Sequence, residues 1–457
     1  MIPQHISQSG PLRAFIAATL FLLSFLPLNL FNASAASVDF SGNILPAIKV
    51  NQESSTGLSA VYVVSNAIGM TVSYTADSPS ATVKWMRFSN LGGGYAQDVP
   101  FTRAGAVTSV TLGKDDMGYI VEENGKRTCF WVVNYANHVC SLGALNYSPE
   151  QDCFTVNLQF SGNADKITYY TINGAGRTLS RGINLEYSTQ TFNSESGAYE
   201  VTPVEQDLES IGSEIHVTAP LCATDFYLTG DRFQLEWGSG KTIQTPTPYQ
   251  PRNVEAHTSA TQTSRSVDNE QRTQGTEGTL GGSAPVEITF EALVTEGVIF
   301  HEWQFSFDQE FDVIDMRVND LECTRVFTEY GTVYVRFVAG DNSGECSYTS
   351  EVYTVNIGES RLECPNAFSP GSSEGVNDEW KVSYKSIINF DCHIYNRWGL
   401  EVAHLTDPSQ GWDGRYKGKL VKSGVFFYVI TADGADGKHY KLSGDINILR
   451  ARNNNEQ

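Results

Sequence analysis

Gly238–Thr242 reads GSGKT, the closing half of a loop that would cradle phosphate through backbone N–H groups and a lysine. Such a loop needs another glycine five residues before Gly240, but position 235 is leucine and no strand–loop–helix unit follows. Phosphate binding is therefore not expected. Histidines at 138, 216, 257, 301, 393, 404 and 439 are scattered, and none forms HExxH or an HxH pair, spacings that set two imidazoles on one metal ion. Cysteines never fall in a tight C-x-x-C arrangement, so neither a metal nor another cofactor is expected. The acid pairs Asp115-Asp116 and Glu122-Glu123 flank a hairpin, where solvated charges are ordinary. Two carboxylates suited to glycoside hydrolysis would have to come from separate strands.

The first 36 residues have the three parts of a secretory signal: Arg13, the apolar run Ala14–Leu26 followed by Pro27, and the small-residue stretch Ala33-Ser34-Ala35-Ala36. The run is shorter than the ~20 residues a spanning helix needs, and no later segment is apolar enough, so no transmembrane anchor is expected after cleavage. The formal charge is −21, and losing a leader with one arginine and no acid makes it one unit more negative. Such a surface repels phosphate backbones, which excludes nucleic acid as a partner. The chain has 18% charged and 11% aromatic residues, which together indicate packed cores.

Eight cysteines in an exported chain read as disulfides. Closeness in sequence favours Cys129–Cys140, Cys153–Cys222, Cys323–Cys346 and Cys364–Cys392, although spacing alone does not determine connectivity.

Helical periodicity is nearly absent and period-two alternation is common. Ile167–Ile172, Val333–Val338 and Val425–Ile430 are rich in β-branched and aromatic residues, as strands are. One theme recurs after Gly118, Gly331 and Gly424: an aromatic-bearing strand, a Gly/Asn/Asp turn and a return strand. The expected fold class is all-β: tandem immunoglobulin-like β-sandwich domains with a disordered linker. Residues 1–36 form the leader, 37–137 a first sandwich and 138–240 a second. Residues 241–282, dense in Thr, Ser, Gln and Glu, are expected to be a flexible linker, because so few apolar groups cannot offset the entropy of ordering. A third domain then covers 283–360, a fourth 361–451 and a tail 452–457.

The fourth domain is the most specific part. It contains CPNAFSPGSSEGVNDEW (Cys364–Trp380), IYNRWG (Ile394–Gly399), GWDGRYKGK (Gly411–Lys419), SGVFFYVI and GDINILR in series. In this order and spacing it resembles the gliding-motility-associated C-terminal domain, the type B sorting domain of cargo for the type IX secretion system. The motif residues are Pro365, Asn366, Phe368, Pro370, Gly375, Asn377, Asp378, Asn396, Arg397, Trp398, Gly399, Trp412, Asp413 and Gly414. The resemblance implies recognition by the outer-membrane machinery of that system, and delivery to the surface of a Gram-negative cell or to the medium. Phe368 would plug the bottom of the sandwich, Gly375, Asn377 and Asp378 would form an Asx-type turn, and Arg397 could lie on an aromatic face. Trp398 and Trp412 would organise the core. Where the family commonly has Asn-Gly-Asp-Gly, this chain has Gly371–Gly375, GSSEG; with fewer oxygen donors, a turn is expected there rather than a cation site. Glu302–Ser306 and the GTVYVRF strand make the third domain similar to an immunoglobulin or polycystic-kidney-disease-type module.

Upstream, Trp85, Phe88 and the Gly92–Tyr95 loop, with Tyr169, Tyr170 and Tyr187, are aromatics that can stack on sugars or hold a protein. The expected role is a non-enzymatic, adhesin-like binding or structural protein with a glycan or a host or surface protein as ligand. The rival is a glycan-directed hydrolase or glycan-binding accessory protein with its site in residues 37–240.

Overall fold

The computed structural model describes residues 37–272, 279–372 and 375–449. The leader at 1–36 and the tail at 452–457 lie outside the described residues. The chain is nearly all β and divides into two compact units, residues up to Asn134 with Tyr170–Ala175, and Tyr135–Tyr169 with the chain from Gly176 onward. Among the described residues no helix is long and apolar enough to cross a membrane.

In the first unit a four-stranded sheet (Ser37–Ser41, Thr71–Thr75, Val107–Thr111, Thr102–Ala104) faces a six-stranded one. The latter runs in the order Ile48–Asn51, Ala60–Val64, Lys126–Asn134, Met117–Glu123, Val83–Phe88, Gln97–Asp98. Alternation places Trp85, Tyr119 and Phe130 between the sheets, and the Trp85 indole N–H donates across the gap to Thr108 Oγ1 at 3.0 Å. The hairpin expected after Gly118 is present. Its turn residues Asn124 and Gly125 both have positive φ (49° and 85°), which matches the right-handed twist of the strands.

The second unit holds three sheet-bearing modules. The first packs Ser141–Tyr147, Thr155–Asn163 and Glu214–Thr218 with a sheet ordered Ala198–Leu208, Ile183–Asn193, Tyr227–Gly230, Lys241–Gln244. A buried polar network lies at one end of it. The Asp231 carboxylate accepts from Arg181 Nη1 at 2.8 Å, the Tyr135 hydroxyl at 3.0 Å and the Gln234 backbone N–H at 3.0 Å. Arg181 also donates to the carbonyls of Asp165 (2.6 Å) and His138 (2.8 Å), and the Tyr135 hydroxyl accepts from the Cys140 N–H (3.0 Å). Both charges are almost fully buried yet richly bonded, the condition under which a buried pair is tolerated.

The next module pairs Ala256–Gln262, Val286–Val294 and Glu322–Phe327 against a sheet built on Gly331–Gly340, with Phe290, Trp303 and Phe337 in its core. The last is a five-stranded sheet ordered Ala367–Phe368, His439–Ile448, Gly424–Gly434, Ile387–Asn396, Glu401–Leu405. It meets the preceding module at buried Ser386, whose N–H donates to Ser283 Oγ (2.8 Å) and whose hydroxyl donates to the Gly358 carbonyl (2.7 Å).

Two expectations are corrected. Residues 241–282 are not a flexible linker where they are described: Lys241–Gln244 and Ala256–Gln262 are strands within the two flanking modules. Asn269 and Gln271 then strap onto the last module, through Gln271 N–H to the Tyr384 carbonyl (2.6 Å) and Tyr384 N–H to the Asn269 carbonyl (3.1 Å). Backbone pairing and a few anchors, such as Val267 on the last core and Glu270 paired with Arg265 at 2.7 Å, order a segment poor in apolar groups. The GSGKT stretch correspondingly ends in an edge strand.

The cysteine pairing also differs. Cys153 bonds Cys346, 193 residues away, and this displaces both Cys153–Cys222 and Cys323–Cys346. Cys129, Cys140, Cys222, Cys323, Cys364 and Cys392 are free thiols, so Cys129–Cys140 and Cys364–Cys392 are not bonded either. Loop-closure entropy rises only logarithmically with length, so closeness in sequence is a weak guide once modules dock.

Peptide mapping of the unreduced protein is expected to yield a 153–346 cross-link, and a 153–222 peptide would refute the docking of these modules. The Cys153→Ser, Cys346→Ser protein should lose on the order of 5 kcal/mol of stability by loop entropy, read in urea unfolding. Asp231→Ala leaves Arg181 buried without its partner and should cost about 3–5 kcal/mol in the same measurement, against a few tenths for an exposed control.

Candidate functional site

The last module is built around a cross-connection between two loops. Trp380 and Trp412 exchange backbone hydrogen bonds at 2.9 and 3.0 Å, and both side chains are buried. The Trp380 indole donates to the Pro365 carbonyl at 2.7 Å and the Trp412 indole to the Arg415 carbonyl at 3.0 Å, so neither polar edge is left unsatisfied. Phe368 packs on Trp412 with centroids 5.5 Å apart, and Trp412 on Phe426 at 5.1 Å. Ala367–Phe368 runs parallel to Asn447–Ile448 as an edge strand, and the Asn366 carbonyl accepts from the Asn447 N–H at 2.9 Å. Gly414 has φ +72°, and a Cβ there would lie 3.0 Å from Pro370 and 3.3 Å from the Phe368 ring, which requires glycine. Asp413 fixes that turn by accepting from the Arg415 N–H at 2.9 Å.

The Asp378 carboxylate accepts from the N–H groups of Gly371 (2.8 Å) and Gly375 (2.7 Å), while Gly375 and Asn377 have φ of 79° and 52°. Both carboxylate oxygens are thus engaged in closing the turn; Ser373 and Glu374 lie outside the described residues. The other motif is a hairpin tip. Asn396 Oδ1 accepts from the N–H groups of Trp398 (2.9 Å) and Leu400 (3.1 Å), and Gly399 has φ +78°.

Trp398 is corrected from its expected core position: it is 75% exposed, with the Arg397 guanidinium 4.3 Å above its ring. A residue at the tip of a tight hairpin has no interior to enter. Trp380, the last residue of the Cys364–Trp380 motif, takes that place in the core. Its signal was the alternation Trp380, Val382, Tyr384, three buried residues spaced by two.

Cys364 and Cys392 lie in this core. Burial, then the neighbouring Cys364, pushes the Cys392 thiol up to about 12. Burial also raises Cys364, opposed by a hydrogen bond with Tyr428.

The outer face of the same sheet holds a group that no sequence motif announced. Asp391, His393 and His404 place their ligating atoms within 4.8 Å of one another. The hairpin register sets His393 directly opposite His404, and Asp391 is two residues before His393 on the same face. The hydrogen bond from His404 is the main cause that holds the Asp391 carboxyl below its usual range. The signal was present as two histidines flanking a tight turn, with the eleven-residue separation concealing the pair.

This architecture defines a tandem β-sandwich protein ending in a compact module with paired tryptophans. More particularly, residues 362–448 match the CHU_C type IX secretion signal domain, and residues 145–245 match a fibronectin type III domain. The chain is thus exported through type IX secretion, to the cell surface or the medium, and its terminal domain engages that machinery. None of the curated proteins compared with it matches significantly.

Among solved structures, a tetra-tandem repeat from the extending region of a large adhesion protein aligns over 91% of this chain and 100% of its own, at 13% identity and a TM-score of 0.21. A Ca2+-stabilised adhesin with which an Antarctic bacterium binds ice aligns over 92% and 100%, at 12% identity and 0.18. The titin I9–I11 tandem aligns over 63% and 91%, at 12% identity and 0.15. At these TM-scores the likenesses carry no inference about function.

Trp412→Ala is expected to destabilise the terminal domain by about 3–5 kcal/mol. Trp398→Ala should change it by less than about 0.5 kcal/mol. Hydrogen exchange of the 361–449 amides in the full chain separates the two; equal effects would contradict the exposed position of Trp398.

Proposed function

We propose that this chain is a non-catalytic, adhesin-like binding protein whose recognition surface belongs to its first unit, while its terminal domain serves as the address. The observation that carries the reading is the Leu91–Tyr95 loop. Of the aromatics considered for ligand contact, Trp85, Phe88, Tyr169 and Tyr187 are buried in cores and Tyr170 is half-buried against Trp131, whereas Tyr95 is 73% exposed beside Leu91 at 62%. The loop is braced by the segment Tyr170–Ala175. The Gly93 N–H donates to the Ile172 carbonyl at 2.7 Å, and a Cβ at Gly92 (φ +83°) would lie 2.7 Å from Gly174 N. A tyrosine on a rigid support offers an apolar face and a hydroxyl at low entropic cost, which suits stacking on a sugar ring or docking on a protein. With four of the other candidates in core packing and Tyr170 half-buried, this loop is the surface the reading favours.

Binding of the mature chain to glycan arrays and matrix-protein panels is the test. The Leu91→Ala, Tyr95→Ala variant should bind at least about tenfold more weakly, the scale of one lost aromatic contact. Undiminished binding would exclude the loop, a blank panel would remove the adhesin reading, and release of new reducing ends from the arrayed glycans would replace it with the hydrolase. Separately, deletion of 361–457 is expected to leave the chain in the periplasm, measured by fractionation and by protease shaving of intact cells. Normal surface delivery would refute the address role.

A further inference from the structure

We propose that Asp391, His393 and His404 form a binding site for a borderline divalent metal ion of the zinc type on the outer face of the terminal domain. The donors converge. His393 Nε2 is 3.2 Å from Asp391 Oδ2, and His404 Nε2 is 2.5 Å from Asp391 Oδ1. The two imidazoles stack with centroids 4.2 Å apart and planes within 10°, so both Nε2 atoms face the same carboxylate.

A second relation points independently to a cation. His393 Nδ1 lies 3.1 Å from Glu401 Oε2. A neutral imidazole has one N–H; when Nδ1–H serves Glu401, Nε2 directs a lone pair at the Asp391 oxygens. Two acceptors then face one another, and a cation bound between them turns that repulsion into coordination. Glu401, His393 and the ion would form the carboxylate–histidine–metal arrangement in which an outer carboxylate fixes the tautomer and raises ligand basicity.

Ligand chemistry selects the ion. Two imidazoles and one carboxylate suit zinc, copper or nickel, and are a poor set for magnesium or calcium, which take oxygen donors. Three protein ligands on an accessible face leave further positions for water. The support is rigid, because Asp391 and His393 share a central strand of the sheet and His404 lies on the adjacent edge strand. Binding would fasten that edge strand, and with it the Asn396–Gly399 hairpin tip.

Isothermal titration of the mature, untagged full chain with zinc chloride tests the site, with the Asp433–His439 pair on the same sheet as an internal control. The expected result is one zinc per chain, abolished in the His393→Ala, His404→Ala variant and retained in His439→Ala. Glu401→Gln should weaken binding on the order of 10–100-fold, the scale of a lost outer partner. Zinc should also slow hydrogen exchange across 387–405 in the parent chain. No heat of binding, or binding unchanged in the double variant, overturns the proposal. If that variant misfolds by circular dichroism, the Glu401→Gln titration decides: an unchanged affinity overturns it and a weakened one supports it.

Discussion

The reciprocal backbone pairing of Trp380 with Trp412 is the constraint on which the terminal domain depends. It joins two loops far apart in sequence and holds both indoles inside. Each indole N–H then finds a carbonyl, so large aromatic surface is buried without stranding a donor. Phe368, Pro370 and Gly414 are shaped around that pair, and the parallel edge strand at Ala367–Phe368 follows from where Phe368 must sit. A domain read by export machinery has to present a constant shape whatever precedes it, and a core fixed by two interlocked tryptophans meets that need.

Elsewhere in the second unit a disulfide and directed hydrogen bonds tie neighbouring modules together. The Cys153–Cys346 bridge ties two modules covalently, and Ser386, buried at the next junction, uses both its backbone and its hydroxyl. Within its own module the Arg181–Asp231 pair does the corresponding work with charges. Such contacts have strict geometry, so they fix how neighbouring modules meet.

Local physics was largely legible in the sequence. Period-two alternation gave the strands, and Asn124-Gly125 gave a hairpin turn whose positive φ values follow from the residue types. The terminal domain could be read because its motifs follow one another within about ninety residues, and several of their residues, Gly414 against Pro370 and Phe368 among them, answer a steric demand. Long-range pairing was not legible. Cys346 lies 23 residues from Cys323 but bonds a cysteine 193 away, and nothing in composition encodes docking between modules. The order of the Thr- and Ser-rich stretch at 241–282 is hidden in the sequence for a related reason. Its order comes from backbone groups, which every residue carries, and a count of apolar side chains does not register them. Trp398 was misplaced because large aromatics favour cores on average, while its place between Asn396 and Gly399 fixes it at a turn. The Asp391–His393–His404 group depends on strand register, which one shifted residue would dissolve.

The strap at Asn269–Gln271 has a topological consequence. These residues lie in the chain between the Ala256–Gln262 and Val286–Val294 strands of the third module, yet they pair with Tyr384 beyond it, and Asn269 Nδ2 also reaches the carbonyls of Val382 (2.7 Å) and Pro408 (2.8 Å). The terminal domain is therefore completed by a segment that its neighbour's chain supplies between two of its own strands. A protease cutting the short connection between Ile357 and Arg361 would sever the backbone without releasing the label, which would remain clipped to the body as a two-chain complex. Separating cargo from address requires further cuts on both sides of the strap, or force enough to peel it away.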